Sequence, residues 1–252
     1  MTSGSFTTIR LTEIDPHVIV LSMNRPEQRN AINVQMAEEL EACLFSLKDQ
    51  QNLRALIITG EGTAFGAGAD LKERATLSVG QTQKARDAFL RCLDMIEALQ
   101  TPVIAMINGP AIGGAFELAL ACDIRIASDQ AVFSLPEVSI VNAFPGAGGP
   151  VRLSRLVGRG RANLVILTGR KFSAEEAFSL GFSEVVVPHA RLMDEAWKLA
   201  HQIAQNNPEG VSAAKQLIFK SCDLDLKTAM ALSHVLRESM DSDATVGADK
   251  RP

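Results

Sequence analysis

The sequence predicts an α/β protein, and three observations carry that prediction. Apolar runs at 17–23 (HVIVLSM), 54–60 (RALIITG) and 103–107 (VIAMI) have the length and β-branched content of buried strands. Segments with apolar residues at helical spacing lie between them. Glycine-rich turns follow the second and third runs. Strands alternating with helices argue for βαβ units with right-handed crossovers.

In chain order, residues 6–12 and 17–23 are expected as two strands joined by a turn at Asp15-Pro16. A polar loop, NRPEQRNAIN, leads to a helix carrying Met36, Leu40, Cys43, Leu44 and Leu47. After the strand at 54–60 comes EGTAFGAGADLKE, a loop able to bring backbone close to a ligand. Gly60, Gly62 and Gly66 miss the GxGxxG spacing by one residue, and no GxxxxGK occurs, which argues against a nucleotide loop. A long helical pattern over 79–99 stops at Thr101-Pro102. From Ser173 the chain reads as chiefly helical. Ser173 and Glu176 form a capping box, Asn207-Pro208 a cap with proline in the first turn, and 224–240 the last strong helix.

The chemistry centres on NGPAIGGAFELALACDI, residues 108–124. Strand, glycine turn and helix aim free backbone N–H groups at a ligand, and the helix dipole adds partial positive charge there. The helix is apolar all round except for Glu117, so it is buried, and its carboxyl must be paired or used. A second acid, Glu137, follows twenty residues later in LPE. N–H groups from two loops can polarise one carbonyl oxygen, and two carboxyl groups beside it can share acid and base roles. From the residues alone this supports acyl chemistry through an enolate.

Composition bounds the alternatives. With 252 residues, 46% of them hydrophobic, the chain suits one large domain or one domain with a helical appendage. A net charge of −4 gives no electrostatic case for nucleic acid or an anionic membrane. Cys43, Cys92, Cys122 and Cys222 lack metal-ligand spacing and read as buried thiols in a reducing compartment. No segment could span a bilayer, and MTSGSFTTIR resembles neither a signal nor a transit peptide. A cytoplasmic protein is expected.

Taken together, NRPEQRNAIN, FGAGADLKE, NGPAIGGAFELALACDI, LPE and PGAGG resemble, in order and spacing, the crotonase (enoyl-CoA hydratase/isomerase) family. The resemblance runs from Asp15 to the C-terminus. It implies the crotonase (ClpP-like) fold of repeated ββα units, with a core over 1–190 and a C-terminal helical trimerisation region over 191–252. It further implies a homotrimer or dimer of trimers, an acyl-CoA thioester substrate, and no metal or cofactor beyond the coenzyme A of the substrate itself. By matched position, Ala69 and Gly114 would donate the oxyanion-hole N–H groups. Glu117 and Glu137 would hold water and manage the α-proton. Ala67, Gly68, Ala69, Asp70 and Leu71 would pass along the adenine, Lys72 would lie near the CoA, and Lys250 would reach CoA from a neighbouring subunit. Arg29 is a further basic candidate for a CoA phosphate. The helix near 79–99, Phe116 and the 138–144 loop are the expected acyl wall.

Two departures from the family pattern stand out. Seven residues, VSIVNAF, separate Glu137 from Pro145 where six are usual, and Val246, Gly247 and Ala248 replace an aromatic residue before the basic C-terminal position. Both acids together favour hydration of a 2-enoyl-CoA. A Δ3,Δ2-enoyl-CoA isomerase or another enolate-forming member of the family is the nearest alternative. From another class comes an RNA-binding role, against which the acidic balance argues.

Overall fold

The apolar runs pair into one sheet. The computed structural model describes residues 6–248. Its first half contains β1 (Ile9–Asp15), β2 (Val18–Met23), α1 (Val34–Leu47), β3 (Ala55–Gly60), α2 (Leu71–Arg74), α3 (Val79–Ala98), β4 (Val103–Ile107), β5 (Ala111–Ile112) and α4 (Gly114–Ala121). There follow β6 (Ile124–Ser128), β7 (Val132–Ser134), α5 (Glu137–Ile140), α6 (Gly149–Val157), α7 (Arg159–Thr168), β8 (Phe172–Ser173) and α8 (Ala174–Leu180). The chain then forms β9 (Val185–Val187), α9 (Leu192–Ala204), α10 (Pro208–Ser221) and α11 (Leu226–Ala248).

Six strands pair in the order β1-β2-β3-β4-β6-β9, with β1 antiparallel to β2 and the rest parallel. Every residue of β2, β3 and β4 is buried, as parallel strands covered on both faces must be. Leu21, Ile58 and Ile107 share one core with α1 and α3; Val20, Ile57 and Ile104 share another with α9. On α9 the contact stripe is Leu192, Ala196 and Ala200, and its small residues let the helix lie close across β2, β3, β4 and β6. The first helix after residue 190 is therefore part of the core packing. A smaller sheet, β5-β7-β8, sits beside a cluster of Phe116, Phe133, Phe172 and Phe182, with centroids 5.2 Å apart for Phe116 and Phe133 and 6.1 Å for Phe172 and Phe182.

Some sequence expectations shift. The first strand covers Ile9–Asp15 rather than 6–12, because Glu39 of α1 takes the N–H groups of Thr7 and Thr8 at 3.1 and 2.8 Å. The region after Ser173 is not wholly helical, since β9 closes the edge of the main sheet. The last helix runs from Leu226 to Ala248, and Cys222 is exposed while the other three thiols are buried. Both predicted caps are present: Ser173 with Glu176, and Asn207 accepting from the Gly210 N–H.

α10 has no buried residue, yet it is fastened at one point. The Lys215 ammonium, with its side chain only 7% exposed, pairs with Asp123 at 2.8 Å and donates to the carbonyls of Ile96 and Thr101 at 3.2 and 3.0 Å. Lys215→Met removes all three contacts and leaves Asp123 half-satisfied. A loss of about 2–4 kcal/mol is expected in urea unfolding; an unchanged midpoint would show that this pin contributes nothing.

Candidate active site

The parallel strands β2, β3 and β4 end at the same edge of the sheet, where open α/β sheets collect their ligand loops. Polar side chains staple those loops together. Asn30, fully buried with φ of 55°, accepts from the Arg25 N–H at 2.9 Å and donates to the carbonyls of Glu61 and Ala64 at 2.9 and 2.8 Å. Asn108 donates to the carbonyls of Gly60 and Gly62, each at 2.9 Å. Between the loops, residues 66–70 run as an extended segment: Ile32 donates to the Gly68 carbonyl at 2.8 Å and Ile112 to the Gly66 carbonyl at 2.9 Å.

This arrangement presents two free donors. Among the described residues, neither the Ala69 N–H nor the Gly114 N–H has a protein acceptor. Gly114 opens α4, where helical N–H groups have no internal partner. Gly68 brings the two together: its φ is +80°, and a Cβ there would lie 2.8 Å from the Ile112 carbonyl oxygen and 3.3 Å from the Gly114 nitrogen. Only glycine fits that approach.

A cavity of about 480 Å³ opens over these donors, and both acids line it. Glu117 is 3% exposed; its Oε1 accepts from the N–H groups of Ala147 and Gly149, both at 2.8 Å. Glu137 is half-buried, and its Oε2 is buried without a hydrogen-bond partner. Burial pushes the Glu117 carboxyl up to about 7, opposed by the Gly149 N–H and reinforced by the charge of Glu137. Burial also raises Glu137.

The additional residue between Glu137 and Pro145 is taken up downstream of the acid. Asn142 adopts φ of 50°, and the N–H groups of Val141 and Ala143 both bond to the Glu137 carbonyl at 3.2 Å.

Ala67, Gly68, Ala69, Asp70, Leu71, Gly114, Glu117 and Glu137 therefore all line one cavity. Asp70 is also committed elsewhere: it caps α2 through the Glu73 N–H at 3.1 Å and pairs with Arg25 at 2.9 Å. Arg29 and Lys72 are exposed and do not contribute to the lining, whereas Arg74 and Arg86 do. Lys250 lies outside the described residues. The acyl wall differs from expectation at one position. Phe116 is fully buried in the aromatic cluster and does not line the cavity, whereas the expected 79–99 helix and 138–144 loop do, through Ala85, Phe89, Ile140 and Phe144, with Leu77 beside them. Among the described residues no cluster of His, Cys, Asp or Glu could hold a metal ion, and no helix is long and apolar enough to cross a membrane.

Comparison with known proteins agrees with this geometry. The profile of the enoyl-CoA hydratase/isomerase family matches residues 13–248. The short-chain-enoyl-CoA hydratase of Clostridium acetobutylicum is 37% identical, covering 88% of this chain and 85% of its own. The 2,3-dehydroadipyl-CoA hydratase of Escherichia coli is 35% identical over 85% of this chain and 83% of its own. The crystal structure of an enoyl-CoA hydratase from Bacillus anthracis superposes with a TM-score of 0.90 at 42% identity, covering 92% of this chain and 90% of that one. Matched by the family profile over most of its length and by relatives at 35–42% identity, the chain belongs to the enoyl-CoA hydratase/isomerase (crotonase) family.

Proposed function

We propose that the protein adds water across the double bond of a 2-enoyl-CoA thioester. The observation that carries this reading is two carboxyl groups facing one cavity whose floor presents two unbonded N–H groups. The thioester oxygen accepts from Ala69 and Gly114. As water attacks the β-carbon, electrons move through the conjugated system onto that oxygen, and the fixed N–H dipoles stabilise the developing charge. Glu117 and Glu137 then act as a pair. One takes a proton from the attacking water and the other returns one to the α-carbon, so the proton count of the pair is restored and a 3-hydroxyacyl-CoA is released. Ala147 and Gly149 keep Glu117 aimed through Oε1. The side chains of Leu77, Phe89 and Phe144 offer the acyl chain an apolar wall.

Incubation with crotonyl-CoA is expected to remove the enoyl-thioester ultraviolet absorbance and yield 3-hydroxybutyryl-CoA. A protein that binds the thioester without consuming it would overturn the reading. Self-association belongs to the same proposal: exposed Ile218, Leu226, Met230 and Val235 on α10 and α11 fit contact with further copies as a trimer. Light scattering of the purified protein tests this, and a monomer would refute it.

A further inference from the structure

Glu117 is not held by its own helix but by the turn at 145–149, and that turn is itself held from beneath. Arg152 of α6 donates from Nη1 to the Ala147 carbonyl at 2.6 Å. Its Nε and Nη2 grip both oxygens of Glu97 at 2.7 Å each, a fork-to-fork contact with the far end of α3. Asp94, exposed on α3, lies 3.6 Å from the same guanidinium. The turn is shaped around this side chain: Gly148 has φ of +94°, and a Cβ there would collide with Arg152 Nη1. Neither Arg152 nor Glu97 lines the cavity.

We propose that Arg152, oriented by Glu97, is a positioning residue that fixes the Ala147 and Gly149 donors and thereby aims the Glu117 carboxyl and sets its proton affinity. The chain of contacts is continuous, running from the Glu97 carboxylate through the guanidinium and the peptide groups of the turn to Glu117 Oε1. Two charged groups bear directly on the titration, Glu137 from α5 and Arg152 from α6, and Arg152 is itself held by Glu97 and Asp94 of α3. Arg152 holds the Glu117 carboxyl down against burial and against Glu137. The effect on catalysis rests on the hydration reading; the effect on proton affinity does not.

The test compares Arg152→Met, Arg152→Lys and Glu97→Gln with the wild type. Arg152→Met is expected to lower kcat by about 10–100-fold with KM unchanged, since a displacement of about 1 Å at a catalytic group has that effect. Loss of the cation and of the anchored donors moves the limb of the pH profile that reports Glu117 upward, by on the order of one pH unit. Arg152→Lys keeps the charge but not the fork, so kcat falls while the profile stays near that of the wild type. Glu97→Gln leaves an acceptor for Arg152 and removes an opposing charge, so the profile moves downward. Opposite movements in Arg152→Met and Glu97→Gln support the inference. An unmoved profile in Arg152→Met, or KM rising in step with the loss of kcat, overturns it. Infrared titration of the Glu117 carboxyl band, assigned by its disappearance in Glu117→Gln, follows the same movements without turnover. If the wild type hydrates nothing, the hydration reading fails while this titration still decides the role of Arg152.

Discussion

Glu117→Gln is expected to abolish hydration and, above neutral pH, to make the protein harder to unfold. Loss of turnover follows from removing one of two proton-transfer groups, an effect of about 10²–10⁴-fold in kcat. The gain in stability follows from the raised proton affinity of the buried acid. In the unfolded chain Glu117 titrates near 4.5, in the folded protein near 7. The folded state thus binds its proton more tightly, and keeping the group ionised there destabilises the fold. That cost is absent below about pH 4.5, grows as the pH rises toward 7, and is complete above it. Its ceiling is about 3 kcal/mol, because a tenfold change in proton affinity on folding corresponds to about 1.36 kcal/mol. Glutamine stays neutral and still offers an oxygen to the Ala147 and Gly149 N–H groups, although its amide nitrogen gains no assured acceptor. At pH 8 a net gain of about 1–2 kcal/mol is expected, or roughly 2–8 °C in melting temperature for a chain of this size. At pH 5 the gain should shrink toward zero. Thermal melts of both proteins at the two pH values check this, and a gain independent of pH would show that folding leaves the proton affinity of the carboxyl unchanged.

Gly68→Ala should be the more damaging single methyl group. The substituted Cβ would sit 2.8 Å from the Ile112 carbonyl and 3.3 Å from the Gly114 nitrogen, so the two loops must separate. Losing one well-placed oxyanion donor costs about 10²–10³-fold in kcat, and a similar fall is expected here. Backbone strain at φ +80° adds about 1–2 kcal/mol of destabilisation. Gly158→Ala supplies the control. Its φ is +79°, but nothing lies within 4 Å of the added methyl, so it carries the strain without the collision. Destabilisation of both variants, larger in Gly68→Ala, with activity lost only there, is the expected result. Comparable activity in both would remove Ala69 and Gly114 from the proposed oxyanion hole.

How much of this was legible in the sequence depends on how far apart the partners lie. The parallel strands β2, β3 and β4 announced themselves because burial on both faces demands unbroken apolar runs. The glycine turns and caps were legible because their geometry is local. The strand β1 was expected but its bounds were not legible, since it has one buried residue and its start is set by Glu39 on another element. Nor was β9, three valines within a helical stretch. Phe116 was misassigned because α4 is apolar on every side, which leaves no phase from which to tell cavity from core. Asn30, Asn108 and Arg152 escaped notice for a common reason. The two asparagines bond to carbonyls of distant segments, which leave no mark in the sequence, and the Glu97 carboxylate that holds Arg152 lies on another helix. A glycine turn just ahead of a cation, as at Gly148 and Arg152, was the one available hint.

The order of strands in the main sheet bears on how the chain comes to be folded during its synthesis. From β1 through β2, β3, β4 and β6 to β9, each new strand is added at the growing edge, beside the one made before it among the main-sheet strands. A chain emerging from the ribosome N-terminus first can therefore extend its sheet by accretion, without inserting a late strand between two early ones. The loops bearing Ala69 and Gly114 are in place once β4 and α4 have docked, whereas Glu117 lacks its anchoring turn until residues 145–149 have emerged.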